Sequence, residues 1–136
     1  MSRRAIYPLE VRNGLLFLRV AVGDRIRQPV IARLLVDTGS SFTVISTQVL
    51  EDAGCNLQSP QGSIAITAAS GIVRGKIFEI PQFSALGQTV ERFRAVGFNL
   101  PKSADIDGLL GINFMRSCGA IIDTGKACIT IPSLLP

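Results

Sequence analysis

The triplet Asp-Thr-Gly occurs twice in the chain, in "LLVDTGSS" at residues 34–41 and in "IIDTGK" at residues 121–126. Paired carboxylates can activate water against a peptide carbonyl without a metal. Held close together they cannot both ionise readily, so they share one proton. One then activates water as a base while the other donates a hydrogen bond to the carbonyl, and the two titrate as a unit. Asp37 and Asp123 are the candidates for such a pair. Glycine two positions on lets the backbone turn tightly and brings an N–H toward the carboxylate. Threonine adds a hydroxyl that can bond nearby backbone. The apolar run "LLV" before Asp37 and "FTVIS" after it hold that turn inside the fold, where a carboxylate is partly dry.

Other chemistries are narrowed by composition. There is no histidine, which excludes Ser-His-Asp and Cys-His groups and removes the commonest zinc ligand. Cys55, Cys118 and Cys128 are odd in number and lack C-x-x-C spacing, so neither a disulfide framework nor a metal site is indicated. They read as reduced thiols in a cytoplasm-like compartment, and no cofactor is expected. The formal net charge is +4, and half of the 14 basic residues are arginines in the first 33 positions. Those arginines alternate with apolar residues, as in "FLRVAVGDRIR", and no aromatic platform accompanies them. A solvated strand face explains them better than a nucleic-acid surface. No run of 18 apolar residues exists to span a membrane, and "MSRRAIYPLEV" lacks the continuous apolar stretch of a secretory signal.

The elements that must position the aspartates read mostly as strands. Hydrophobic residues make up 47% of the 136, enough for a core, and the length suits one domain over residues 1–136. "GLLFLRVAV" and "PVIARLLV" are strand-like runs joined by the hairpin loop "GDRIRQ". "FTVIS" is a third, and "STQVLEDAG" is a short helix with Ser46 as N-cap and Gly54 as its stop. "SIAITAASGIVRGKIFEI" forms two β-rich arms around a tip at Gly71. "RFRAVGF" is a further strand. "DIDGLLGINFMRSCG" joins a strand end, a glycine and a short helix, and "GAIID" and "KACITI" form a last hairpin around "TGK". Strand, glycine turn, short helix and glycine therefore occur twice, a weak internal repeat.

Taken in order, "LLVDTGSSFTVIS", the glycine hairpin "ITAASGIVRGK" and "IDGLLGINFM" resemble the retropepsin-like aspartic protease family, over roughly residues 10 to 131. The resemblance implies an all-β single-lobe acid-protease barrel with one or two short helices. It also implies an aspartic endopeptidase that binds a polypeptide beneath a flap. By position, Asp37 resembles the catalytic aspartate and Thr38 the threonine that ties two active-site loops together across a twofold axis. Gly39 matches the glycine whose N–H serves the carboxylate. Ser40 matches the pepsin-like serine, whose hydroxyl is expected to bond a carboxylate oxygen and favour its charged form. Ala69, Ser70 and Gly71 match the flap, which lacks the tyrosine of pepsin-like enzymes. Leu109, Leu110 and Gly111 match the apolar–apolar–Gly element backing the active-site loop, with Asn113 a polar residue beyond it. Leu35, Val44, Ile72 and Leu109 are candidate subsite walls, each equally readable as core.

The resemblance also separates the two triplets. A two-lobed pepsin-like chain needs a flap region and an apolar–apolar–Gly after each aspartate, and the stretch from Thr124 to Pro136 has neither. "DTGK" instead has turn chemistry, with Asp123 starting a β-turn and Gly125 free to take a positive φ. One lobe with one competent aspartate implies a symmetric homodimer in which Asp37 meets its own copy. The chain ends are candidates for the interface, as in viral relatives that interleave terminal strands. Pro8, Pro132 and Pro136 make a long regular sheet there less expected. A catalytically silent dimerisation or peptide-binding domain of the same fold is the alternative.

Overall fold

In the computed structural model the residues described are 3–68, 71–101 and 105–133. Eleven strands and two short helices are described, arranged in two sheets. The larger sheet contains β2 (Glu10–Arg12), β3 (Leu15–Gly23), β4 (Val30–Val36), β5 (Val44–Ser46), β6 (Gly62–Ala68), β7 (Gly71–Ala85), β8 (Gln88–Phe98) and β9 (Gly108–Leu110). Its order is β2-β3-β4-β9-β5-β8-β7-β6. A further antiparallel pairing, Ala21 to Ser84 through Gly23 to Gln82, joins β3 to β7 and curls the sheet into a barrel. The smaller sheet has the order β1-β11-β10, from β1 (Arg3–Pro8), β10 (Ile121–Asp123) and β11 (Cys128–Ser133). The architecture is all-β, as the β-branched runs suggest.

The period of two along β3 explains how it sits. Leu16, Leu18, Val20 and Val22 face the core, while Leu15, Phe17, Arg19 and Ala21 take the other face. The core cluster runs from Leu9 to Ile131 and draws on both sheets. Its centre is aromatic. Phe83 of β7 stacks on Phe93 of β8, with ring centroids 4.5 Å apart, and Phe114 meets both edge-on at 5.2 and 5.8 Å. Phe114 belongs to α2 (Ile112–Ser117), so this trio fixes the helix behind the sheet, each ring contributing about 2 kcal/mol of burial. The other helix, α1 (Thr47–Asp52), starts where the Ser46 hydroxyl accepts the Val49 N–H at 3.2 Å. It stops at Gly54, whose φ of +87° few other residues adopt.

The terminal strands depart from the expectation set by their prolines. β1 pairs with β11 of the same chain along its whole length, from Arg3–Ser133 to Pro8–Cys128. Pro8 ends an edge strand, and Pro132 lies beyond the rungs that β10 makes with β11, so neither interrupts a two-sided ladder. The "DTGK" turn also closes differently. The Lys126 N–H donates to Asp123 Oδ1 at 2.8 Å, and Ala127 takes the left-handed conformation, with φ 52°, in place of Gly125. With the carboxylate closing the bend, the change of hand falls one step before β11.

Candidate active site

β4 delivers Asp37 to the end of the large sheet. β9 lies between β4, to which it is parallel, and β5, to which it is antiparallel. The Leu35–Leu109 and Val36–Leu110 rungs continue for one more bond, from the Asp37 N–H to the Leu110 carbonyl at 3.0 Å. The aspartate backbone is therefore held as strand up to the point where the chain turns. There the Gly39 N–H donates to Asp37 Oδ1 at 3.0 Å, and the Ser40 N–H donates to the Asp37 carbonyl at 3.2 Å. A carboxylate so held has one oxygen oriented by the backbone and stays half-exposed. Thr38 and Gly39 are exposed beside it.

The far side of the loop is tied to α2. The Ser40 carbonyl accepts the Ile112 N–H at 2.8 Å. The Ser40 hydroxyl does not reach the carboxylate as expected from the sequence; it donates to the Phe42 carbonyl at 2.6 Å. The bend at Ser41–Phe42 folds that carbonyl back over Ser40 and takes the only proton the hydroxyl has to give. Thr43, with 0% exposure, accepts the Gly111 N–H at 3.2 Å and donates to Asn113 Oδ1 at 3.1 Å. Thr43 and Asn113 thus use their polar atoms on each other and on the loop backbone, as buried polar groups must.

Two glycines make this crossing possible. A side chain at Gly111 would collide with the Phe42 carbonyl, and one at Gly108 with the Val44 carbonyl; Gly108 also has φ +156°. β9 can slide between β4 and β5 only because both positions lack a Cβ. Its entry is fixed by a reciprocal pair: the Arg33 N–H donates to Asp107 Oδ2 at 2.8 Å, and the Asp107 N–H donates to the Arg33 carbonyl at 2.9 Å. The Arg33 Nε lies 2.9 Å from Glu10 Oε1 but off the N–H axis, an ion pair rather than a hydrogen bond.

Leu35 and Leu109 are half-buried and share one rung beside Asp37, and Leu110 is buried behind it. Val44 is 4% exposed, enclosed between its neighbours Leu109 and Val96. In the β6–β7 hairpin the arms pair from Gly62–Ile77 to Ala68–Gly71, and Ile72 is 75% exposed. Gly71 has φ +124° on the last rung. Ala69 and Ser70 lie outside the described residues. Asp123 stands on the smaller sheet, with its carboxylate closing the turn to Lys126.

Two of the thiols, Cys55 and Cys118, are poor nucleophiles. Burial raises the Cys55 pKa, with the nearby Asp24 charge adding to it, and burial likewise raises Cys118. Both shifts disfavour the reactive thiolate.

The family model for aspartyl proteases matches residues 18–114, which include the Asp37 loop, both arms of the hairpin and β9. The chain belongs to the aspartyl protease family. Within it the fold is retropepsin-like. The chain resembles the crystal structure of a retropepsin-like aspartic protease from Rickettsia conorii, with a TM-score of 0.65 at 16% identity, over 100% of this chain and 95% of that one. It also resembles the EIAV protease complexed with the inhibitor HBY-793, with a TM-score of 0.62 at 19% identity, over 86% of this chain and 97% of that one. No curated protein matches it in sequence. Among the described residues no helix is long and apolar enough to cross a membrane.

The sequence reading missed Thr43 and Gly108. Thr43 carries no signal of its own, since a threonine opening a strand-like run looks like any β-branched strand residue. Gly108 had one: a glycine directly before two leucines in a strand marks a close backbone approach.

Proposed function

We propose that residues 1–136 form one aspartic endopeptidase domain, active as a homodimer, with Asp37 of each copy supplying one carboxylate of a shared dyad. The observation that carries this reading is the Asp37 loop: a carboxylate with one oxygen on the Gly39 N–H, half-exposed, on a backbone braced by Leu110, Ser40 and Thr43. Asp123 closes a surface turn and is not part of such a loop, which supports one competent aspartate per lobe. A twofold axis brings any residue near it against its own copy.

In this mechanism one carboxyl is protonated and its partner is not. The charged one takes a proton from water as the water oxygen bonds to the scissile carbon. The protonated one gives its proton to the carbonyl oxygen. Collapse of the tetrahedral intermediate returns a proton to the leaving nitrogen and breaks the C–N bond. Thr38 links the two loops across the axis, and Gly39 and Ser40 hold the carboxylate and the turn. The hairpin around Ala69, Ser70 and Gly71 closes over an extended peptide bound by its backbone. Leu35, Ile72 and Leu109 line the cleft, with Val44, Leu110 and Gly111 behind them. No metal or cofactor takes part, and the thiols suit a reducing compartment.

Cleavage of a peptide library between about pH 3 and about pH 7 tests this, that range covering dyads of this type. Asp37→Asn should lose turnover by about a hundredfold or more. Asp123→Asn should keep it within a few-fold and change stability little, because the amide oxygen can still accept the Lys126 N–H. A folded dimer that cleaves nothing would support the silent peptide-binding reading. A dead but folded Asp123→Asn would overturn the one-lobe assignment.

A further inference from the structure

The first part of β7 is covered by a strand on one side only. β6 pairs with it from Gly62–Ile77 to Ala68–Gly71, whereas β8 pairs with it only from Lys76–Gly97 onward. Along residues 71–75 the other edge of β7 therefore meets no strand among the described residues. The ladder decides which backbone groups lie on that edge. The Ile77 carbonyl accepts the Gln61 N–H at 2.8 Å, on the β6 side. In an antiparallel ladder each residue turns both backbone groups to one neighbour, and successive residues alternate. Val73 and Gly75 thus bond toward β6, while Ile72 and Arg74 turn N–H and C=O to the open edge. Lys76, next in that series, is the residue that meets Gly97 of β8.

The open edge borders a groove of about 570 Å³ between β7 and α1. Arg74, Lys76 and Phe78 share one face of β7. That face turns to α1: a Cβ at Gly97, the cross-strand partner of Lys76, would lie 2.7 Å from the Phe78 ring and 3.1 Å from Leu50 of α1. With no side chain at Gly97, the groove stays open beside Lys76. Phe78 and Leu57 supply its apolar part, and Glu51 stands on the α1 wall. Arg74 and Lys76 are both exposed. Neither forms an ion pair among the described residues, although every Asp and Glu of the chain is one of them.

We propose that this edge and groove bind an acidic, extended segment of the substrate polypeptide, outside the stretch held at Asp37. This rests on the hydrolytic reading above and adds a second point of recognition to it. The open edge calls for a polypeptide, because a strand added there takes up the N–H and C=O of Arg74. The two cations call for acid. Side chains on one face of an extended segment repeat at about 7 Å, which is also the spacing of Arg74 and Lys76 along β7. Carboxylates on alternate residues therefore meet both cations, and a basic segment would set like charges together. The Glu51 charge on the opposite wall turns those carboxylates toward β7.

Labelled peptides test this: one of alternating Glu and Thr, one of alternating Lys and Thr, and a Glu-Thr peptide N-methylated along its backbone. Binding is read by fluorescence anisotropy on the full chain carrying Asp37→Asn, alone and with Arg74→Glu or Lys76→Glu; Arg74→Ala and Lys76→Ala replace a glutamate variant that fails to fold. The Glu-Thr peptide should bind about tenfold or more tightly than the Lys-Thr peptide. Each added glutamate should weaken it about fivefold or more, each alanine less, and N-methylation should weaken it about fivefold or more without touching the charges. In the wild type, a cleaved peptide joined to the Glu-Thr segment by a flexible linker should show a lower KM at unchanged kcat, and Lys76→Glu should remove that gain. No binding, no preference for acid, or binding that survives both charge reversals would overturn the groove. Binding indifferent to N-methylation would overturn strand addition, and a KM indifferent to the joined segment would overturn its assignment to the substrate. Acid-selective, N–H-dependent binding by a chain that cleaves no peptide would count against hydrolysis alone and support the groove.

Discussion

The Thr43 hydroxyl accepts the Gly111 N–H at 3.2 Å, joining the exit of the aspartate loop to the entry of α2 across 68 positions of sequence. Thr43→Val keeps the shape and removes the oxygen. The Gly111 N–H and Asn113 Oδ1 then lose a buried partner, which should cost about 1–3 kcal/mol. Urea unfolding reads this as a lower midpoint at unchanged slope. Thr43→Ser should recover most of the loss, because it keeps the hydroxyl; a serine variant no better than valine would place the effect in packing.

Gly71 should affect turnover more than folding. It holds φ +124° opposite Ala68, and nothing lies within 4 Å of where a Cβ would sit. A valine there meets no clash and is strained through its backbone alone, by about 1–3 kcal/mol. An exposed hairpin end can relieve this by opening locally. Gly71→Val is expected to lower kcat/KM by about tenfold or more while the urea midpoint stays near that of the wild type. Unchanged peptide kinetics would remove this hairpin from the catalytic cycle.

The loop after β3 makes one contribution to stability that depends on acid pH. The Arg27 and Ile26 N–H groups donate to Asp24 Oδ1 at 3.0 and 3.1 Å. These bonds, Arg27 first, hold the Asp24 pKa below its ordinary 3.8 against some desolvation, with the Arg27 guanidinium helping. Folding is thus favoured by the charged form. The contribution is complete above 3.8 and fades as pH falls through the lower folded-state value. Asp24→Asn, with no charge to lose, should be less stable than the wild type near neutrality, and the gap should close below the ordinary carboxylate value. A gap constant with pH would show that these hydrogen bonds do not depend on the charge.

Local chemistry was legible in the sequence and pairing was not. Asp37 could be chosen over Asp123 because a glycine-tipped hairpin and an apolar–apolar–Gly element follow the first triplet and neither follows the second. The Ser46 cap and Gly54 stop were readable because both act within a few residues. β7 runs on to Ala85, through Pro81 and Gln82, because β3 and β8 hold it from either side. No window of sequence contains that support. The in-chain pairing of β1 with β11 and the Thr43 bridge are long-range facts of the same kind.

Shared catalysis is tested most directly by mixing wild type with Asp37→Asn at fixed total concentration, after exchange of subunits, and following peptide cleavage. If each active site needs Asp37 from both copies, only wild-type pairs cleave, and activity falls as the square of the wild-type fraction, to about a quarter in an equal mixture. Activity that falls only in proportion, to about half, would mean that each copy works alone or that one Asp37 suffices, and would contradict the shared dyad.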